Sequence, residues 1–229
     1  MVGWFSMRAR FERRFGPVLE AAREGERRCL RCERWGGDPV LMVVDAALDS
    51  IGLSYFNIVV PRVRRFYEVY VRDGRIRSFE DLAGYRPDDR GLLEILNNRR
   101  AWGTAIQVAD TLERMRRERG LRSDLDALCN WAHNTSYLEW RNDPVGQIKG
   151  VGLITFQYLR MQAGVDTSMP DKIIKRVVER EFGVRAPDDL SFIREMEELS
   201  RRIGYSQILI CWAIWLRESD MGRGEWEIV

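Results

Sequence analysis

Two glycines one residue apart, Gly150 and Gly152, enclose an apolar Val151 and lead into a helix-like run that contains Thr155. Such a turn exposes successive backbone N–H groups at a helix N-terminus, which suits an anion such as a nucleic-acid phosphate and reads no sequence. The same pattern also serves close helix packing, so the turn alone does not choose between the two. Asp171 stands 21 residues after Gly150, directly behind Pro170, at the start of another helical pattern. A carboxylate there can cap the helix, or can stabilise positive charge on a sugar while an N-glycosidic bond breaks. The three lysines of the chain, Lys149, Lys172 and Lys175, all fall within 27 consecutive positions, whereas the chain has 34 arginines spread along its length. A preference for arginine does not explain that clustering. Three ammonium groups beside one DNA strand would each add a phosphate contact.

Other chemistry-bearing residues are scattered. Asp45 interrupts the apolar run Leu41 to Leu48, and an acid on such a face points either to solvent or into a pocket. Tyr55, Trp102, Trp131, Trp140, Trp212 and Trp215 can each line a pocket for a planar base, although tryptophans at helical spacing more often build core. Cys29 and Cys32 form a C-x-x-C pair, half of a zinc site or a redox pair. A zinc site would have to recruit Cys129, Cys211 or His133 from far along the chain. The simpler expectation is reduced thiols, with Cys129 and Cys211 as small buried apolar residues, His133 as a structural residue and no bound metal.

The elements that must position these residues read as helices throughout. In 229 residues, 45% hydrophobic and 31% charged with a net charge of +2, composition excludes disorder and fibre and leaves partner choice to where charges sit. The longest apolar run, Ile208 to Leu216, is about half a bilayer span, and the start lacks the order of a secretory signal. A cytoplasmic protein is expected, nucleoid-associated in a prokaryote. Asp38 and Pro39 start a helix over 40–48; Ser78 starts another; Thr104 caps 105–119 with Gly120 as its stop; Ser123 caps the next. Pro170 opens 171–182 before Gly183, Pro187 opens a segment closed by Gly204, and a last helix covers 206–217. Pro61 lies inside a helical pattern over 58–70, which either starts late with Asn57 as cap or kinks at the proline. About ten short helices predict an all-α fold of two lobes with a cleft between them.

The residues Ile148-Lys149-Gly150-Val151-Gly152 with Thr155, followed by Met169-Pro170-Asp171-Lys172 and then Lys175-Arg176-Val177, resemble the helix-hairpin-helix (HhH-GPD) DNA glycosylase superfamily. That group includes endonuclease III, the adenine glycosylase and the alkyl-base glycosylases. Residues 38–52 are similar to the family's first core helix and the turn after it. The resemblance runs from about Asp38 to Gly183, and the Met169-Pro170-Asp171 entry looks more like the alkyl-base branch than the endonuclease III branch. It implies a central lobe over 38–164 ending in the hairpin. A second lobe of 1–37 with 165–229 would carry Asp171 at the interface. It implies an enzyme that hydrolyses the N-glycosidic bond of a damaged or mispaired base in double-stranded DNA, acting as a monomer. Asp171 would be the catalytic carboxylate, and Lys149, Gly150, Val151, Gly152, Thr155, Lys172 and Lys175 would contact DNA. Ile51 falls where relatives place a wedge residue, and Asp45, Tyr55, Trp102 and Trp140 are candidates for the pocket receiving a flipped base.

The chain departs from the family pattern in two places. Ile154 stands two residues after the second hairpin glycine, where strand-cleaving members carry a lysine, so the resemblance implies a monofunctional enzyme. The alternative is a strand-cleaving glycosylase in which Lys149 or Lys172 attacks the sugar. Only Cys211 follows the hairpin, so neither an iron–sulfur cluster nor another cofactor is expected, apart from room for a structural monovalent cation at the turn. The lesion class leans toward alkylated or otherwise modified purines. A non-catalytic lesion- or structure-specific DNA-binding protein and a helical protein–protein adaptor are the competing readings.

Overall fold

The computed structural model describes residues 4–218 and is helical, with no strand among the described residues. Local chemistry explains most boundaries. Helices α1 (Trp4–Phe15) and α2 (Leu19–Leu30) are joined by a short 3-10 turn. Helix α3 (Pro39–Asp49) starts where Asp38 accepts from the N–H groups of Val40 and Leu41 at 2.8 and 3.1 Å, with proline at its first position. Ser78 caps α5 (Phe79–Ala83), Asp89 caps α6 (Arg90–Ile95) and Ser123 caps α8 (Asp124–Asn134). Helix α10 (Lys172–Phe182) begins after Asp171, and α11 (Asp189–Ile203) after Asp188. Both end on glycines in the left-handed region, Gly183 at φ 70° and Gly204 at φ 78°. The last described helix is α12 (Gln207–Glu218).

Two expectations from the sequence are corrected. Thr104 caps nothing: α7 (Arg99–Glu118) starts earlier, at Asn98, whose side chain accepts from Ala101 N–H. The buried Thr104 sits inside α7, with its hydroxyl 3.0 Å from the Arg100 carbonyl and 3.2 Å from that of Lys149. Around Pro61 the helical run does not start at Asn57. Wide π-helical turns at 55–59 and 67–71 flank α4 (Val60–Phe66), and the first carries the chain into Pro61 without calling on the missing proline N–H.

The helix contacts fall mainly into two sets. Helix α3 packs on α7, on α4 and on α9 (Leu153–Gln162), while α5 and α8 also pack on α7. In the second set α12 packs on α2 and α10, and α1 on α11. Helices α2 and α9 join the sets, and one apolar core runs through both. The positions of 1–37 and 165–229 that precede residue 4 or follow 218 lie outside the described residues. Helices α2 and α12 come close at Gly25 on α2, where a Cβ would stand 2.6 Å from the indole of Trp212 on α12. Helix α9 is buried on nearly every side, Ile154 being exposed. Its polar residues are therefore tied inward: Arg160 donates to the carbonyls of Ala132 and Thr135, Gln157 to that of Ser168 and Gln162 to that of Met42.

The segment before the glycine turn is a succession of hydrogen-bonded turns over 141–150. Asp143 organises it, accepting from the Trp131 indole at 3.0 Å, the Thr135 hydroxyl at 2.7 Å and Val145 N–H at 2.8 Å. The two glycines are not equivalent. Gly150 has φ 107°, and a Cβ there would stand 2.1 Å from Thr104 Oγ1, whereas a Cβ on Gly152 would meet nothing within 4 Å. Gly150→Ala should therefore cost more than about 1 kcal/mol, and Gly152→Ala a few tenths, in urea unfolding. Equal losses at both positions would contradict this reading of the turn.

Candidate active site

Two layers of polar side chains meet near the C-terminal end of α3. The deeper is the pair Arg34 and Asp45, both wholly buried, with guanidinium and carboxylate 3.5 Å apart. Asp45 Oδ2 also accepts from the Trp35 indole at 2.9 Å and lies 3.1 and 2.8 Å from the hydroxyls of Tyr55 and Tyr158, which are 2.8 Å from one another. Arg34 donates to Tyr55 at 2.6 Å, and its guanidinium lies over the Trp212 ring at 4.9 Å. Burial pushes the Asp45 carboxyl up from its ordinary value, and Arg34 with the three donors works against that push. Trp35 reaches its place with φ 52°, a left-handed conformation costing a non-glycine residue about 1–2 kcal/mol. The indole–carboxylate bond holds it there.

The upper layer contains Asp171 and Asp49. Asp171 is half-buried; it accepts from Ile174 N–H at 2.7 Å and from the Trp215 indole at 2.6 Å. Burial raises its carboxyl, while these donors favour the ionised form. Trp215 packs edge-to-face on Tyr158 and Trp212, connecting the upper layer to the lower. The carboxyl group of Asp49, one turn after Asp45 on α3, has no hydrogen-bond or ion-pair partner among the described residues. Burial, together with the charges of Asp45 and Asp171, pushes its carboxyl up to about 8. Burial raises both carboxyl groups; the two differ in that close donors oppose the rise at Asp171, whereas the neighbouring charges of Asp45 and Asp171 add to it at Asp49.

The candidates from the sequence divide accordingly. Asp171, Asp45 and Tyr55 come together. Ile51 is half-buried against the core in the turn after α3. Trp102 is corrected to core: it is wholly buried, its indole bonded to the Leu96 carbonyl at 2.9 Å and its ring on Phe66. Trp140 packs on Phe156, beside the hairpin rather than Asp171. At the turn Lys149 and Gly152 are exposed, whereas Val151 and Thr155 are buried and present no side chain to a partner. Lys172 is exposed, but Lys175 is bonded to Asp189 at 2.7 Å. Cys211 is buried as expected, while Cys129 is half-buried against Cys32. Among the described residues no three His, Cys, Asp or Glu side chains are disposed to hold a metal ion, and no helix is long and apolar enough to cross a membrane. Sequence reasoning missed Arg34, Trp35, Asp49 and Tyr158; the spacing of Asp45 and Asp49 by one helical turn was the available signal.

Comparison of the chain with family models, curated proteins and solved structures finds no match.

The buried pair makes a direct prediction. Asp45→Asn leaves the Arg34 charge uncompensated in the interior and should destabilise the fold by about 3–5 kcal/mol, against about 1 kcal/mol for Tyr158→Phe. Urea unfolding measures both, and similar small losses would contradict the charge-pair account.

Proposed function

We propose that the chain is a monofunctional DNA glycosylase that hydrolyses the bond between deoxyribose and a damaged or mispaired base. The observation that supports this reading is the neighbouring pair of carboxyl groups Asp49 and Asp171, of which Asp171 is the residue the sequence resemblance gives as the catalytic aspartate. Asp171, ionised, stabilises the positive charge that develops on the sugar as the C1′–N bond breaks. The bond's electron pair leaves with the base, and Asp49 supplies the proton that makes the base a neutral leaving group. Water adds at C1′ and passes its proton to the ionised carboxylate. Trp215 and the buried layer beneath hold Asp171 in position. The exposed Lys149 and Lys172 and the bare Gly152 meet the phosphates, and a base flipped from the duplex is received above α3.

Asp171→Asn should abolish base release from a lesion-containing duplex while DNA binding survives. Release by the variant at the wild-type rate would end the proposal. The same reading fixes a pH dependence. Asp49 must be protonated to act, so release should hold below about pH 8 and fall above it, and Asp49→Asn should lower the rate and remove that limb. The linkage sign is the reverse of an ordinary ion-paired carboxylate. The folded pKa lies above the unfolded value, so the folded state binds more protons between about pH 4 and 8, and its stability falls as pH rises through that window. Asp49→Asn should therefore be more stable than wild type at pH 8 and lose that advantage toward pH 4.

The phosphate contacts are tested by salt. Lys149→Ala and Lys172→Ala should each lower the slope of log affinity against log salt by about one unit on lesion and plain duplex alike. Lys175→Ala should leave the slope unchanged, because Asp189 already neutralises that charge. Borohydride should trap no protein–DNA adduct. An adduct lost in Lys149→Ala or Lys172→Ala would make the enzyme a strand-cleaving glycosylase.

A further inference from the structure

Cys32 follows α2 with φ 54°, in the left-handed region that side chains rarely adopt. With that backbone its Sγ lies 2.8 Å from Sγ of Cys129 on α8, a residue 97 positions away. Both side chains are half-buried, whereas Cys29 and Cys211 are wholly buried. The sulfurs are closer than two thiolates bound to one tetrahedral zinc ion, which would stand about 3.8 Å apart. They are within about 1 Å of bonding distance. We propose that Cys32 and Cys129 form a reversible intramolecular disulfide by exchange with a low-molecular-weight disulfide.

The exchange runs in two steps. The Cys32 thiolate attacks one sulfur of the small disulfide, breaking its S–S bond and releasing one small thiolate. Cys129 then gives up its proton and attacks the Cys32 sulfur, expelling the second. Two protein thiols are oxidised by two electrons, the small disulfide is reduced by two, and the protons end on the two small thiols. The site is arranged for that order. The Cys129 S–H bonds to Cys32 and lowers the Cys32 pKa, while Cys129 itself is raised. Cys129 also borders an open depression of about 540 Å³ lined by Asp126, Asn130 and His133, and Cys32 keeps part of its own surface exposed beside it. Burial removes the other thiols from competition, pushing Cys29 up to about 11. The bond would fasten the turn that carries Arg34 and Trp35 to α8, closing a long loop and restricting the unfolded chain.

The test oxidises the full chain with oxidised glutathione, then counts thiols after denaturation and maps peptides by mass spectrometry. The expected result is a fall from four free thiols to two, a cross-linked peptide joining Cys32 to Cys129, and full recovery in dithiothreitol. The melting temperature of the oxidised protein should exceed that of the reduced form. Cys129→Ser should stop at a glutathione adduct on Cys32. Four thiols persisting in the wild type, a cross-link through Cys29 or Cys211, or stoichiometric zinc that shields the thiols until it is chelated would each overturn the proposal.

Discussion

Taking the Arg34 guanidinium and the Asp45 carboxylate out of water is the constraint on which the rest of this structure turns. Each buried ion carries a desolvation penalty of several kcal/mol that the pair's attraction alone does not reliably offset. The fold supplies the difference with further donors and a cation–π contact, drawn from the turn after α2, from α3, from the segment at Tyr55, from α9 and from α12. Every one of those segments must be in place for the pair to be tolerated. The strained backbone at Trp35 and the bare face of Gly25 under Trp212 serve the same end. The floor of the site is rigid because its alternative is an exposed core charge.

That rigidity sets the chemistry above it. Asp49 inherits its environment from α3: one turn beyond Asp45 it stands near two other carboxyl groups and has no donor among the described residues. Asp171 is given two close donors. The difference between the two acids is thus a difference in hydrogen bonding rather than in residue type. Helix α9 carries this arrangement to the glycine turn, since Tyr158 lies in its middle and Gly152 at its cap. Pinned by Arg160, Gln157 and Gln162, the helix fixes the glycine turn relative to the carboxylates.

What was legible in the sequence was local. The caps at Asp38, Ser78, Ser123 and Asp171 follow from side-chain chemistry acting within three residues, and so could be placed by inspection. The residues that misled are those whose local option lost to a distant one. Thr104 offers a capping hydroxyl and instead reaches the Lys149 carbonyl 45 residues on. Trp102 looked like a pocket aromatic and is core, because its one polar atom finds a carbonyl inside. Arg34 and Tyr158 are separated by 124 positions, and nothing in their neighbourhoods marks them as partners. Pro61 was readable as a disturbance but not as the α-helical residue that follows a π-helical turn, because no local side-chain signal marks such a turn.

The central claim is that this buried floor holds a carboxylate able to release a base from DNA. The most direct measurement is base release by the wild-type chain across a panel of duplexes, each carrying one alkylated, oxidised, deaminated or mispaired base. Product strands are read before and after alkali. The account predicts release from at least one member of the panel, with strand breaks appearing only after alkali. Salt-dependent binding to every duplex with no base released from any would contradict it and leave a DNA-binding protein without the chemistry.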